Sequence, residues 1–216
     1  MLRFQVRFPL SARRALAAAA LVLLAAPAFA ARTVLVFGDS LSAAYGLSSD
    51  EGWVSLLAKR IADRRLAWQV TNASVSGETT AGGLARLPGD LKRLRPAVVV
   101  IELGANDALR GQPVSGIRAN LVRMIRLVRE ARAQPVLVGL MIPPNYGIDY
   151  AREFREMYPT VARAEKVALV PFLLDGIADH PELFQADQLH PIASAEPRVL
   201  DNVWATLGPI LEKSRR

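Results

Sequence analysis

Three residues of this chain have the types and the spacing of a hydrolytic site: Ser40, Asp187 and His190. A serine hydroxyl is a weak nucleophile until a base takes its proton, and a histidine imidazole suits that role near neutral pH. Asp187 lies three residues before His190. A carboxylate at that separation can reach the ring, fix its tautomer and stabilise the imidazolium. We therefore predict nucleophilic catalysis with Ser40 as the nucleophile, His190 as the base and Asp187 as its acidic partner.

Such a site also needs hydrogen-bond donors for the negative charge that develops on the attacked carbonyl oxygen. The backbone N–H groups of Ser40 and Gly77 and the side-chain amide of Asn106 are the candidates. Each has an ordinary explanation by itself: Ser40 as a turn residue, Gly77 as a residue with an unusual backbone angle, and Asn106 as a helix cap. Their shared position after successive predicted strands favours the functional interpretation.

The elements that must position these residues alternate between strand and helix. Apolar runs predict strands at residues 33–37, 68–71, 97–103, 135–141 and 167–172. The runs are nearly continuous, which is typical of parallel strands that are covered on both faces. Helical spacing of apolar residues predicts helices around residues 53–61, 84–94, 117–128 and 195–211. Together these patterns predict one α/β domain with three layers, α/β/α.

Parallel α/β sheets bind ligands at the carboxyl ends of their strands. Ser40 follows the first predicted strand, Gly77 the second and Asn106 the third, and the segment 187–191 follows the fifth. Because these ends share one edge of the sheet, the sequence predicts that the candidate residues meet there.

Composition excludes several other chemistries. The chain of 216 residues contains no cysteine and only two histidines. Disulfides, a cysteine nucleophile, an iron–sulfur cluster and a Cys/His zinc site are therefore excluded. No phosphate-binding loop or dinucleotide motif is present, and we expect neither a cofactor nor a metal. The other histidine, His180, stands beside Asp179 as an alternative base, but adjacent side chains rarely point the same way, and a surface role is favoured.

The first thirty residues resemble a targeting segment rather than part of the domain. Four arginines and no acidic residue precede an apolar run at 15–26, which ends in an Ala-Phe-Ala tripeptide at 28–30. This pattern predicts a secretory signal peptide over 1–30 and a domain over 31–216. The apolar run is too short for a membrane anchor, which needs about 20 residues. The pair Arg13–Arg14 suggests the twin-arginine route only weakly, and general export to the periplasm or the medium is favoured.

Charge does not favour a nucleic-acid partner. The formal net charge is +7, and the four arginines of the predicted signal peptide account for four of those charges, which leaves +3. Such a mildly basic domain is weak evidence for nucleic-acid binding. Several arginines around 118–132 belong to a helical pattern. A solvated helix face explains them better than an anion-binding patch.

The segment VFGDSLSAAYG resembles the nucleophile block of the GDSL, or SGNH, hydrolase family. Ser40, Gly77, Asn106 and His190 match the residues of its four blocks in order, and Asp187 matches the acid of the last block. The segments NASVSGETT, GLARLP, ELGANDALRG, PPNYG and DQLHP are similar to the exported bacterial thioesterase, lysophospholipase and arylesterase branch. The resemblance implies a flavodoxin-like sheet of five parallel strands in the order 2-1-3-4-5. It also implies a Ser-His-Asp triad and metal-free ester or thioester hydrolysis.

One departure from that branch is Ile192, where the branch often has asparagine after His-Pro. We expect this difference to change a contact within the loop around residue 192, and not the role of His190.

The resemblance also implies an acyl groove between the loops after the third and fourth strands. Leu109, flanked by Ala108, Arg110 and Gly111, forms one expected wall; the other consists of Ile142, Pro143 and Tyr146. The alternative is that both loops merely cover the sheet.

Three functions remain open at this point. The favoured one is a monomeric serine esterase acting on aryl esters, short to medium acyl esters and lysophospholipids, with thioesters as possible further substrates. The second is a carbohydrate O-deacetylase on the same fold, against which the low aromatic content of 6% argues mildly. The third is a binding protein without catalysis, which we would expect to have lost one of Ser40, Asp187 and His190.

Overall fold

The computed structural model describes residues 31–213, so the predicted signal peptide at 1–30 lies outside the described residues. Within this range the strands are β1 (Arg32–Gly38), β2 (Trp68–Asn72), β3 (Val98–Glu102), β4 (Gln134–Val138) and β5 (Ala168–Val170). The α-helices are α1 (Trp53–Asp63), α2 (Thr80–Leu94), α3 (Ala105–Leu109), α4 (Val114–Glu130), α5 (Ile148–Glu165) and α6 (Glu196–Lys213). In the described part of the chain, no helix is long and apolar enough to cross a bilayer.

The five strands form one parallel sheet in the order β2-β1-β3-β4-β5, which confirms the expected topology. The register pairs Gly38, at the end of β1, with Glu102, at the end of β3. The loops that follow these two strands therefore begin side by side. This register sets the serine-bearing turn next to the start of helix α3, which carries Asn106.

The core lies on both faces of this sheet. Every residue of β3 is buried, and in β1 only Arg32 is exposed. Helix α1 packs against α6, whereas α2 packs against α4 and α4 against α5, so the helices form two groups over the sheet. The continuous apolar character of the strands is thus explained by cover on both sides, and the three-layer prediction is confirmed.

Two α-helices, the short α3 and the longer α5, were not among the predicted elements. Helix α5 buries Phe154, Met157, Tyr158 and Val161 along one face. Their spacing is helical, so the sequence does contain a signal. Pro159, which lies inside the helix, is a residue that normally ends one.

The predicted fourth and fifth strands were too long. β4 ends at Val138 and β5 at Val170. Leu140 and Ile142 stay buried beyond the end of β4, so apolarity continues there without strand pairing. Burial of a covering loop and burial of a strand give the same pattern of apolar residues.

A buried carboxyl group joins the start of α6 to the start of α1. Glu196 is 2% exposed, and its Oε2 accepts a hydrogen bond from the Trp53 backbone N–H at 2.7 Å. That N–H is one of the groups that a helix leaves unpaired at its first turn. Burial raises the pKa of Glu196 to about 7.

Candidate active site

Ser40 lies in a tight turn that directly follows β1. The turn is closed by hydrogen bonds from the Ala43 N–H to the Asp39 carbonyl and from the Leu41 N–H to Asp39 Oδ1. A Cβ atom on Gly38 would lie 2.5 Å from Glu102 Oε2 and 2.7 Å from Ser42 Oγ. Only glycine fits at this position, because a buried carboxyl group fills the space beneath the turn.

The structure brings Ser40, His190 and Asp187 together. Ser40 Oγ is 2.8 Å from His190 Nε2, and Asp187 Oδ2 is 2.7 Å from His190 Nδ1. These two hydrogen bonds assign the ring proton to Nδ1, which donates to the Asp187 carboxylate. Nε2 is then free to accept the serine proton, as a base must.

Asp187 is held as an anion by its surroundings. Partial desolvation raises its pKa, but hydrogen bonds from the His190 ring and from the Leu189 and His190 backbone N–H groups outweigh that effect, and the pKa falls to about 2. The carboxylate therefore carries its charge throughout the neutral range. That charge keeps the imidazole proton on Nδ1 and leaves Nε2 facing the serine.

Two residues that sequence analysis did not select hold the histidine loop against the serine turn. The Tyr45 ring lies 4.5 Å from the His190 ring, tilted by 37°. Gln185 Nε2 donates to the Tyr45 carbonyl at 2.8 Å and to the Pro191 carbonyl at 3.0 Å. A Cβ atom on Gly46 would lie 2.1 Å from Gln185 Oε1, which indicates why a glycine follows Tyr45.

The candidate oxyanion donors follow three neighbouring strands. The backbone N–H groups of Ser40 and Gly77 donate to no acceptor among residues 31–213. Gly77 has a φ of 78°, a left-handed conformation that glycine adopts at no steric cost. Asn106 donates one amide N–H to Asp39 Oδ2 at 3.0 Å. A side-chain amide has two N–H groups, so the second remains for a substrate oxygen.

Helix α3 is fixed in place by the residue after Asn106. The Asp107 carboxylate is 5% exposed and accepts hydrogen bonds from the Thr80 hydroxyl at 2.6 Å and the Thr80 N–H at 2.8 Å. Asn120 Nδ2 donates to the same hydroxyl at 3.0 Å. Anchored in this way, α3 holds Asn106 at the edge of the sheet, where it lines the same cavity as Ser40.

A cavity of about 610 Å³ opens beside Ser40 and His190. Three of the residues predicted to form the acyl groove line it: Leu109, Ile142 and Pro143. A further wall comes from the segment after β5, where Phe172, Leu174, Ala178, Phe184 and Leu189 supply apolar surface. That wall was not predicted, although its signal is present as apolar residues at 172–189.

Other predicted residues lie elsewhere. Tyr146 is not among the residues that line the cavity; it ends a short 3-10 turn, and 44% of it is exposed. Arg110 points away toward the Gly77 carbonyl, to which its Nη2 donates at 3.2 Å. His180 contacts Glu182 at 3.1 Å instead of approaching Ser40. Ile192 is half-buried against the core, and its N–H donates to the Leu183 carbonyl.

A parallel α/β sheet that brings serine, histidine and aspartate together at its carboxyl edge is the architecture of a hydrolase. The chain belongs to the GDSL-like lipase/acylhydrolase family, whose model matches residues 36–195. It is an enzyme that hydrolyses esters.

Three relatives are similar over most of their length. Esterase TesA of Pseudomonas aeruginosa is 52% identical over 192 residues, covering 89% of this chain and 95% of that protein. The arylesterase of Vibrio mimicus is 42% identical over 83% of this chain and 90% of its own. Thioesterase 1/protease 1/lysophospholipase L1 of Escherichia coli K12 is 39% identical over 88% of this chain and 90% of its own.

Solved structures give the same result. The crystal structure of TesA has a TM-score of 0.81 and 50% identity, covering 83% of this chain and 100% of that one. Esterase EstA from Pseudoalteromonas sp., inhibited by monoethylphosphonate, has a TM-score of 0.80 and 39% identity, covering 84% and 99%.

Replacing the acid is a direct test of the Asp187–His190 contact. In Asp187→Asn the amide can donate to Nδ1, which moves the ring proton to Nε2 and removes the base. We expect kcat for p-nitrophenyl butyrate to fall by about 10³- to 10⁴-fold with little change in thermal stability. The matched control is Glu182→Gln, which alters the carboxylate beside the other histidine and should leave kcat unchanged. Equal rates in Asp187→Asn and the wild type would contradict this assignment.

Proposed function

We propose that the protein is a serine esterase in which Ser40 attacks the ester carbonyl and His190 accepts the serine proton. The observation that carries this proposal is the continuous chain of contacts from Ser40 Oγ through the imidazole to Asp187, at 2.8 Å and 2.7 Å. No other described serine has a histidine nitrogen within hydrogen-bonding distance.

The remaining steps follow from the same groups. As the tetrahedral intermediate forms, its oxyanion accepts hydrogen bonds from the N–H groups of Ser40 and Gly77 and the Asn106 amide. His190 then gives its proton to the leaving oxygen, the C–O bond breaks, and the acyl group stays on Ser40. Water, activated by the same imidazole, attacks the acyl-enzyme; serine takes back a proton, and the carboxylic acid departs.

The cavity supports small acyl esters as substrates. Its volume of about 610 Å³ falls in the usual range for small-molecule sites, and apolar side chains form most of its walls. We place the acyl chain against Leu109, Ile142 and Pro143. The leaving group must lie on the side of His190, because that ring protonates its oxygen. The neighbouring wall of Phe184 and Leu189 suits an aryl or alkyl alcohol.

The names of the relatives support a range of ester substrates. Esterase TesA, an arylesterase and a thioesterase/protease/lysophospholipase are 52%, 42% and 39% identical to this chain over 83% to 89% of its length. We propose aryl esters, short to medium acyl esters and lysophospholipids as substrates, with acyl thioesters as further candidates. An apolar cavity favours acyl chains over acetylated sugars. We also propose that the enzyme is a monomer, since one chain supplies every group of the site.

We also propose that the enzyme works outside the cytoplasm, after removal of residues 1–30. The basic, apolar and Ala-Phe-Ala segments of that stretch support export. When the full chain is expressed in a Gram-negative bacterium, we expect the active protein in the periplasm or the medium with Ala31 at its N-terminus. Fractionation followed by intact-mass measurement tests this, and active protein that keeps residues 1–30 would contradict the proposal.

The nucleophile is tested by Ser40→Ala. Hydrolysis of p-nitrophenyl acetate and butyrate should fall by at least 10³-fold, because removing the nucleophile leaves only binding and oxyanion stabilisation. A fluorophosphonate probe should label the wild type and not the variant. Ser42→Ala, which changes a buried neighbouring hydroxyl, should still be labelled. Equal hydrolysis by Ser40→Ala and the wild type would disprove the proposed function.

A pair of variants tests the acyl side and the alcohol side of the cavity separately. Leu109→Ala should lower kcat/KM for p-nitrophenyl octanoate about tenfold while sparing the acetate, because only the longer chain reaches that wall. Phe184→Ala should lower kcat/KM for phenyl butyrate more than for ethyl butyrate. The two esters share their acyl group, so the difference reports the contact of the phenyl alcohol with Phe184. The assignment is wrong if Leu109→Ala lowers kcat/KM equally for the octanoate and the acetate, and Phe184→Ala lowers it equally for the two butyrates.

A further inference from the structure

Asp39 has a different environment from the acid that pairs with His190. It is 1% exposed and lies in the floor of the cavity, directly before Ser40. Both of its carboxylate oxygens are used: Oδ1 accepts the Leu41 N–H and Oδ2 accepts the Asn106 amide, each at 3.0 Å. Asp39 is therefore an acceptor from two donors, and it touches neither Ser40 Oγ nor a ring nitrogen of His190.

The contact with Asn106 decides which way that amide points. An amide rotates about its terminal bond, and its oxygen and nitrogen occupy similar space. An acceptor at Asp39 Oδ2 keeps the nitrogen toward the floor of the site and leaves the second N–H to the substrate oxygen. The reversed amide would place an oxygen against the carboxylate and remove the donor.

A second buried carboxyl group holds Asp39 from below. Glu102 is 0% exposed; its Oε2 accepts the Ser42 hydroxyl at 2.6 Å and the Asp39 N–H at 3.3 Å. Its Oε1 has no hydrogen-bond partner among the described residues. Burial, and then the charge of Asp39, raise the pKa of Glu102 well above its ordinary value. A neutral Glu102 leaves the negative charge of this pair on Asp39.

We propose that Asp39, supported by Glu102, is a positioning residue that orients the Asn106 amide as an oxyanion donor. The inference rests on the proposed function, because it gives Asn106 a partner in that reaction. Asp39 acts through Asn106 and makes no contact with the reacting atoms. Its carboxylate is required because only an acceptor without hydrogens can satisfy both the Leu41 N–H and the Asn106 amide.

The charge of Asp39 also depends on pH in the mildly acidic range. Burial raises the pKa of Asp39 to about 6, although the hydrogen bonds from Leu41 and Asn106 and the nearby His190 charge lower it. Asp107, Glu102 and Tyr158 are the other titratable groups that interact with it, and the charge of Asp107 raises its pKa further. Because the pKa is raised, Asp39 is ionised above about pH 6 and neutral below, where its hold on the amide is lost.

The decisive experiment is a double-mutant cycle of Asp39→Asn and Asn106→Ala, with kcat and KM measured on p-nitrophenyl butyrate at pH 8. Each single variant should lose about 10²- to 10³-fold in kcat with KM nearly unchanged, the effect of one lost oxyanion donor. The double variant should be no slower than Asn106→Ala alone. If the two losses multiply instead, Asp39 does not act through the amide, and the inference is overturned.

Two further outcomes separate the possible failures. An Asn106→Ala variant with the wild-type rate would overturn the proposed oxyanion site and this inference together. Glu196→Gln is the matched control, since it replaces another buried carboxyl group. Glu196 accepts a hydrogen bond from the Trp53 N–H and has no contact with Asp39 or Asn106 among its hydrogen bonds. This variant should keep the wild-type kcat. An equal loss in Glu196→Gln would overturn the inference, because any buried acid would then give the same effect.

The pH profile provides a test that does not need Asp39→Asn to fold. In the wild type, log kcat should fall more steeply below about pH 6 than in Asn106→Ala, because protonation of Asp39 removes the donor that it positions. In Asn106→Ala this additional fall should be absent, because the donor that Asp39 positions is already missing. Equal slopes in the two proteins would overturn the inference.

Discussion

The hydrogen bond between Ser40 and His190 joins residues that are 150 positions apart. It forms because parallel strands deliver successive loops to one edge, and because the pairing of Gly38 with Glu102 aligns the ends of β1 and β3. Packing on both covered faces of the sheet fixes that register, since a shift would set side chains of the wrong size and shape against the helices. Packing energy spread over the whole domain is thus what holds two polar atoms within 2.8 Å.

The same edge keeps three carboxyl groups in different states. Asp187 accepts several hydrogen bonds near the surface, and its pKa lies far below neutral. Asp39 and Glu102 lose solvation, and burial raises the pKa of each. Residues of one chemical type therefore serve as a permanent anion, a titrating acceptor and a neutral support, according to burial and to the donors around them.

Much of this architecture could be predicted from the sequence. Continuous apolar strands predicted the three layers, and the resemblance to the hydrolase family implied the strand order. The sequence did not indicate the partners of the site residues. Gln185 and Tyr45 hold the histidine loop through a backbone carbonyl and a ring face, and neither contact leaves a pattern in the residue types. Helix α5 was missed because Pro159 interrupts a recognisable apolar spacing.

Asp187 and His190 lie on one short segment without regular helix or strand, and their pairing spans only three residues. The acid and the base can thus move as a unit while the ring keeps its proton on Nδ1. Local opening of this segment separates the base from the nucleophile and leaves the core strands intact. The contacts that oppose such an opening are the hydrogen bonds of Gln185, the Tyr45 ring against His190 and the Ile192 N–H bond to Leu183.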